Sequence, residues 1–206
     1  MDTANLTLQD EFITLEPLSV SHKETLYELG QDKGIWTWTS HNYCETLEIT
    51  QGWIEACLLR KELGTQLPFV IVDKCRNKVV GATSYLNICK QHKTVEVGYT
   101  FLHPRAQKTH INRRCKFQML NHAFEGLGFN RVAFQTHEKN QQSRTAILGL
   151  GAQFEGINRY ARIQSDGSIR NSAVYSIIKP DWPAVKAHLK GKLTTPKSGR
   201  FHNVCS

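Results

Sequence analysis

VEVGYTFLHPRAQKTHINRRCKFQMLNHAFEGLG, residues 95–128, reads as a strand, a polar turn and an amphipathic helix. Val95, Val97, Tyr99 and Phe101 alternate with Glu96, Gly98, Thr100 and Leu102, and a period of two with β-branched and aromatic members marks a strand. Pro104 ends it, because proline has no N–H to give to a ladder. Beyond the turn, Phe117, Leu120, Phe124 and Leu127 recur at helical spacing and share one face. Gly126 and Gly128 close that helix. A strand that runs through a turn into a helix makes an anion site. The first helical turn holds N–H groups without acceptors at the positive end of the dipole. Arg105, Lys108, Arg113, Arg114 and Lys116 add formal charge around it. A solvated basic turn is the ordinary alternative.

The chain has 206 residues, enough for one domain with a sizeable core. Hydrophobic residues make up 40% and charged ones 21%, the balance of a soluble globular protein. No apolar run approaches the ~20 residues of a membrane helix. The polar, acidic start MDTANLTLQDEF lacks the pattern of a signal peptide. Six cysteines, at 44, 57, 75, 89, 115 and 205, show neither a C-x-x-C pair nor zinc spacing. Reduced thiols, no metal and a cytoplasmic location are therefore expected. A net charge of +8 suits nucleic acid, an acidic substrate or a phosphorylated cofactor. No helix-turn-helix, RNP or finger pattern accompanies it, so nucleic acid is not the expected partner.

Working outward, residues 1–10 read as an N-terminal arm. Phe12 to Glu16 form a first strand, stopped by Pro17. Ser21 and Glu24 have the form of a capping box for a short helix through Leu29. Trp36 and Trp38 follow, either as pocket walls or as buried packing. Thr46–Leu63 is helical, with Gly64 past its end. Pro68–Asp73 and Val79–Ile88 pair as a hairpin, and the 95–101 strand extends the meander. Arg131–Thr136 is a strand, Asn140–Leu150 a helix, and Phe154–Ile163 and Ser172–Ile178 the last two strands, joined at Asp166-Gly167. A domain over 11–190 and a polar tail over 191–206 complete the expected organisation. The expected fold class is α/β: one layered domain with a mixed, mostly antiparallel sheet of about seven strands and about four helices.

Taken in order, ITLEPL, LPFVIVD, KVVGATSYLNI, VEVGYTFLHPRAQ, HAFEGLGFNRVAFQT, the Asn140-Gln141-Gln142-Ser143-Arg144 helix start, LGLGAQFEGINR and VYSIIKPDW resemble the GCN5-related N-acetyltransferase (GNAT) superfamily. Within it, the likeness is greatest to the ribosomal-protein-alanine acetyltransferases of RimJ/RimL type, and it covers residues 11–183. The resemblance implies a GNAT fold with a splay at the cofactor site, acetyl-coenzyme A as donor, and a primary amine as acceptor, either a protein N-terminus or a small molecule. A homodimer is a family-level expectation. A regulatory protein that binds acyl-coenzyme A without catalysis is the alternative.

The resemblance assigns roles by position. The family's pyrophosphate turn, rich in glycine, corresponds to Gln107-Lys108-Thr109-His110-Ile111-Asn112, where only Gln107 matches. Either the turn still presents its N–H groups, helped by Lys108 and Arg113, or cofactor binding is weakened. Phe101, Leu102 and His103 are candidate cofactor contacts, with a backbone N–H near Phe101 or Leu102 as the expected donor to the thioester oxygen. Asn140 contacts the pantetheine arm and also suits a helix N-cap; Arg144 is counted with it. Glu96 is the candidate base for the attacking ammonium, or else a surface strand residue. Ser143 is the candidate acid for the departing thiolate, because Ile147 stands where the superfamily often has tyrosine. Acceptor choice is expected to lie in the loops at 30–45 and 160–172, with Trp36, Trp38 and Tyr160 as candidate walls. Arg114 stands where the group often has glutamate. Cys115 beside it, near a helix start, has the setting of a lowered thiol pKa.

Overall fold

The computed structural model describes residues 6–164 and 166–194. Among them are eight strands and five α-helices, one more of each than the sequence suggests. The strands are β1 (Leu8–Gln9), β2 (Ile13–Pro17), β3 (Leu67–Asp73), β4 (Lys78–Cys89), β5 (Thr94–Leu102), β6 (Arg131–His137), β7 (Gln153–Ile163) and β8 (Ile169–Ile178). The helices are α1 (Lys23–Leu29), α2 (Leu47–Glu62), α3 (Ile111–Asn121), α4 (Gln141–Gly149) and α5 (Trp182–Thr194). They flank one sheet of order β1-β2-β3-β4-β5-β6-β8-β7. Every pairing is antiparallel except β5 with β6.

One extra element lies in the stretch read as an N-terminal arm, and the other runs from the end of the expected domain into the expected tail. Leu8 and Gln9 pair with Leu15 and Thr14, so part of the expected arm is a sheet edge. Residues 191–194, read as tail, continue α5, whose first turn carries Trp182. The indole stacks on Phe124 at 5.1 Å and donates from Nε1 to Glu125 at 2.9 Å. The remainder of the predicted tail lies outside the described residues.

Local signals explain most helix ends. Thr46 caps α2 by accepting from the Ile49 N–H at 3.2 Å, and Gly64 takes φ +71° beyond its end. The start of α1 departs from the predicted box. Ser19, in extended conformation, receives the capping role, and its N–H donates to His22 Nδ1 at 3.1 Å. A 3₁₀ turn over Val20–His22 then leads into the helix. In α3 the buried stripe is Ile111, Cys115, Met119 and Leu120, with Phe117 and Leu127 only partly covered. A π turn over His122–Gly126 rotates the helical face beyond Asn121, which accounts for Leu127.

The sheet has a core on each face. Ile13, Leu15, Phe69, Ile71, Tyr85, Val95 and Val97 meet α3 and α5 on one side. Val70, Ala82 and Phe101 meet Leu26, Trp53, Ile54 and Cys57 on the other. Along β3, β4 and the first half of β5 both faces are covered, so successive side chains enter two different apolar cores.

Candidate active site

The alternation in β5 breaks where the site begins. Val95 and Val97 face the α3 side, and strict alternation would send Tyr99 and Phe101 there too. Instead Leu102 joins that core and Phe101 joins the opposite one. The cause is a bulge: Gly98 and Phe101 oppose Ser84 and Ala82, so β5 carries one residue more than its partner. Tyr99 takes φ +47° within it. Gly81 lets β4 come close to this bulge, since a Cβ there would lie 2.2 Å from the Phe101 carbonyl oxygen. The bulge is held from below by Lys116 of α3. Its buried ammonium donates to Thr83 Oγ1 at 3.1 Å and to Thr100 Oγ1, and burial lowers its pKa.

Beyond Glu96 the sheet opens. β5 and β6 pair only from Thr94–Arg131 to Glu96–Ala133, and the two strands then part. The gap is a cleft of about 360 Å³, lined by β5, β6, α4, the start of α3 and the loop at 34–43.

Glu96 stands at the fork with 6% of its surface exposed. A second bulge, in β4, positions it: Leu86 and Cys89 oppose Glu96 and Thr94, and Asn87 takes φ +50°. Asn87 Nδ2 donates to Glu96 Oε2 at 3.0 Å, and Gln135 Nε2 donates to the same oxygen at 3.3 Å. Burial raises the Glu96 pKa above the ordinary carboxylate range, while the Asn87 bond and the charges of Arg162 and Arg170 pull it back. The result is a carboxylate in the cleft with greater basicity than one in water.

In the turn predicted to bind phosphate, Lys108 takes φ +59°, a conformation that glycine adopts without cost. The turn thus keeps a glycine-like backbone without the glycine. Asn112 and Arg113 lie in the first turn of α3, where N–H groups have no helical acceptor. Gln107 Nε2 donates to the Leu102 carbonyl at 3.0 Å and ties the turn to the end of β5. Across the cleft, Asn140 caps α4 by accepting from the Ser143 N–H at 3.0 Å.

The predicted site residues separate into two groups. Glu96, Phe101, Leu102, Gln107, Lys108, Asn112, Asn140, Ser143, Trp36 and Trp38 all line the cleft. The others are placed elsewhere. His103 Nδ1 accepts from the Arg105 N–H at 3.3 Å, Thr109 Oγ1 donates to the Ala106 carbonyl at 2.7 Å, and Ile111 is in the core. The His110 ring meets Phe12 at 5.3 Å, and Arg113 donates to the Lys192 carbonyl at 3.3 Å. Arg144 donates to the Tyr175 hydroxyl at 2.8 Å and the Glu138 carbonyl at 3.0 Å. Tyr160, at 76% exposure and φ +53°, sits outside the cleft on the edge strand. Arg114 pairs with Asp10 at 3.0 Å and covers the Phe12 ring, so its charge serves the N-terminal strand. Cys115 is fully buried, which pushes its thiol pKa up instead of down.

Several cleft residues were not anticipated. Tyr43 stacks on Trp53 at 5.6 Å and meets Trp36 and Tyr99, forming an aromatic wall. Ser40, Lys116, Arg162 and Arg170 also line the space. Ser40, Tyr43, Arg162 and Arg170 fall within the 30–45 and 160–172 stretches expected to select the acceptor, but none of the four stood out singly.

Residues 13–153 match the family model for the acetyltransferase (GNAT) domain. The chain belongs to the GNAT family. The uncharacterised N-acetyltransferase YoaA of Bacillus subtilis (strain 168) is 25% identical over 103 residues, covering 50% of this GNAT chain and 57% of YoaA. The match thus spans little more than half the length of that curated relative. A GCN5-related N-acetyltransferase from Brucella melitensis superposes with a TM-score of 0.86 at 23% identity, covering 96% of this chain and 89% of that one. The microcin C7 self-immunity acetyltransferase MccE, solved with acetyl-coenzyme A and AMP, gives 0.74 at 20% identity, with 82% and 93% covered. The latter two likenesses concern the fold.

Proposed function

We propose that this protein transfers an acetyl group from acetyl-coenzyme A to a primary amine, by direct attack with donor and acceptor bound together. The observation that carries the reading is the buried Glu96 carboxylate at the fork where β5 and β6 part. Bound acetyl-coenzyme A supplies an activated acyl carbonyl. The glycine-like backbone at Lys108 and the first-turn N–H groups of α3 fit a pyrophosphate. Lys108 adds charge nearby. Asn140 keeps its amide NH₂ for a pantetheine carbonyl while its oxygen caps α4.

Glu96 takes the proton that an ammonium must lose before its nitrogen is a nucleophile. Its raised pKa suits that task better than a solvated carboxylate. A backbone N–H near Phe101 or Leu102, at the bulge, donates to the thioester oxygen, and Ser143 gives a proton to the departing sulfur. The acceptor is a protein N-terminus, as the RimJ/RimL-type resemblance suggests, or a small amine.

The test is release of free thiol from acetyl-coenzyme A in the presence of a panel of small amines and N-terminal peptides. Amine-dependent release above the no-enzyme rate is expected. Binding of acetyl-coenzyme A with no release for any amine would favour an acyl-coenzyme A-binding protein instead.

A further inference from the structure

The cleft contains an arrangement of cations that the transfer step does not use. Arg170 of β8 is 8% exposed, and its Nη1 donates to the Trp38 carbonyl at 3.2 Å. Its Nε–H is buried without a hydrogen-bond partner among the described residues. Ser40, also 8% exposed, has a buried hydroxyl in the same condition. Both residues line the cleft, and so does Arg162 of β7. The two guanidinium groups lie close enough to repel, and neither forms an ion pair with a carboxylate among the described residues. Glu96 feels both charges, but its hydrogen bonds come from Asn87 and Gln135.

A buried donor without an acceptor costs free energy, and so does a pair of like charges. Both costs fall when an anion enters. A guanidinium offers a planar fork that matches a carboxylate at two oxygens. The phosphate turn is built from other elements, the end of β5 and the start of α3, so this is a separate anion position. Resting on the acetyltransferase reading above, we propose that the acceptor amine carries a carboxylate, held by Arg170, Arg162 and Ser40 while its nitrogen meets Glu96. The acceptor class is then an amino acid or other amino-carboxylate, and the loop at 36–43 closes over its acid end.

The experiment compares kcat/KM for matched acceptors: glycine with glycinamide, β-alanine with β-alaninamide, and phosphoethanolamine with ethanolamine. The carboxylates are expected to exceed their amides by about tenfold to a hundredfold, the worth of a hydrogen bond to a charged group. They are also expected to exceed phosphoethanolamine. Arg170→Gln should bring the acid-to-amide ratio toward one. Arg162→Gln, on an exposed strand, gives the same readout if the first variant does not fold. Amides that equal their acids overturn the proposal while leaving the acetyltransferase reading intact, as does a ratio unmoved by the substitutions. A preference for phosphoethanolamine overturns the carboxylate assignment. No release with any amine overturns both readings.

Discussion

Glu96→Gln is expected to lower kcat by about 10²- to 10⁴-fold, the range for removal of a general base, with little change in affinity for acetyl-coenzyme A. Glutamine keeps the shape and still accepts from Asn87 and Gln135, so the loss reports the proton-accepting role. Wild-type activity should fall as pH drops through the Glu96 pKa, which burial places above the ordinary 4.5. The rate-against-pH profile therefore has an acid limb displaced upward, and the variant lacks it. Stability moves the other way. A carboxyl whose folded-state pKa is raised contributes stability at low pH and loses it as pH rises through that value. At pH 7 the wild type holds an ionised carboxylate that burial disfavours, so the variant should melt at the same temperature or higher. Lower activity with equal or greater stability identifies a functional group. An unchanged kcat removes Glu96 as the base.

Gly81→Ala is expected to destabilise the protein by about 1–3 kcal/mol, as overpacking does, and to lower transfer with it. The added Cβ would sit 2.2 Å from the Phe101 carbonyl oxygen, 2.9 Å from Leu102 Cδ2 and 3.0 Å from Leu102 Cα. Two of these atoms belong to the backbone, so no side-chain rotation relieves the collision. The strand that must move carries the bulge at Tyr99–Phe101, which couples the change to the site. Gly52→Ala is the matched control. Gly52 lies inside α2 with nothing within 4 Å of an added Cβ. There alanine should stabilise by about 0.5–1 kcal/mol through helix propensity. Urea unfolding of the two variants should give shifts of opposite sign. A Gly81→Ala protein as stable as the wild type would rule out the tight approach of β4 to β5.

The strands and long helices were legible because period and caps agree along residues 13–178, from ITLEP through the β8 run. What escaped had weak local signals. Leu8–Gln9 is too short to show a period, and α5 begins between Pro180 and Pro183, which read as helix breakers, and runs on into the expected tail. The bulges in β4 and β5 were hidden because a single extra residue leaves the apolar pattern nearly intact while reversing which face each residue meets. Glu96 and residues 107–112 became candidates through chain position within the family pattern. Arg170 and Ser40 were not, since 130 residues separate them and only the docking of the 36–43 loop on β8 brings them to one cleft. The glycine-free turn could be read in two ways from its letters; φ +59° at Lys108 supports the reading in which its N–H groups still face a phosphate.

The most direct test of the account is calorimetric titration of acetyl-coenzyme A into the protein at two salt concentrations. The account predicts one molecule bound per chain with micromolar affinity that weakens as salt rises, because the turn and its cations hold phosphates. No binding at millimolar acetyl-coenzyme A would contradict it.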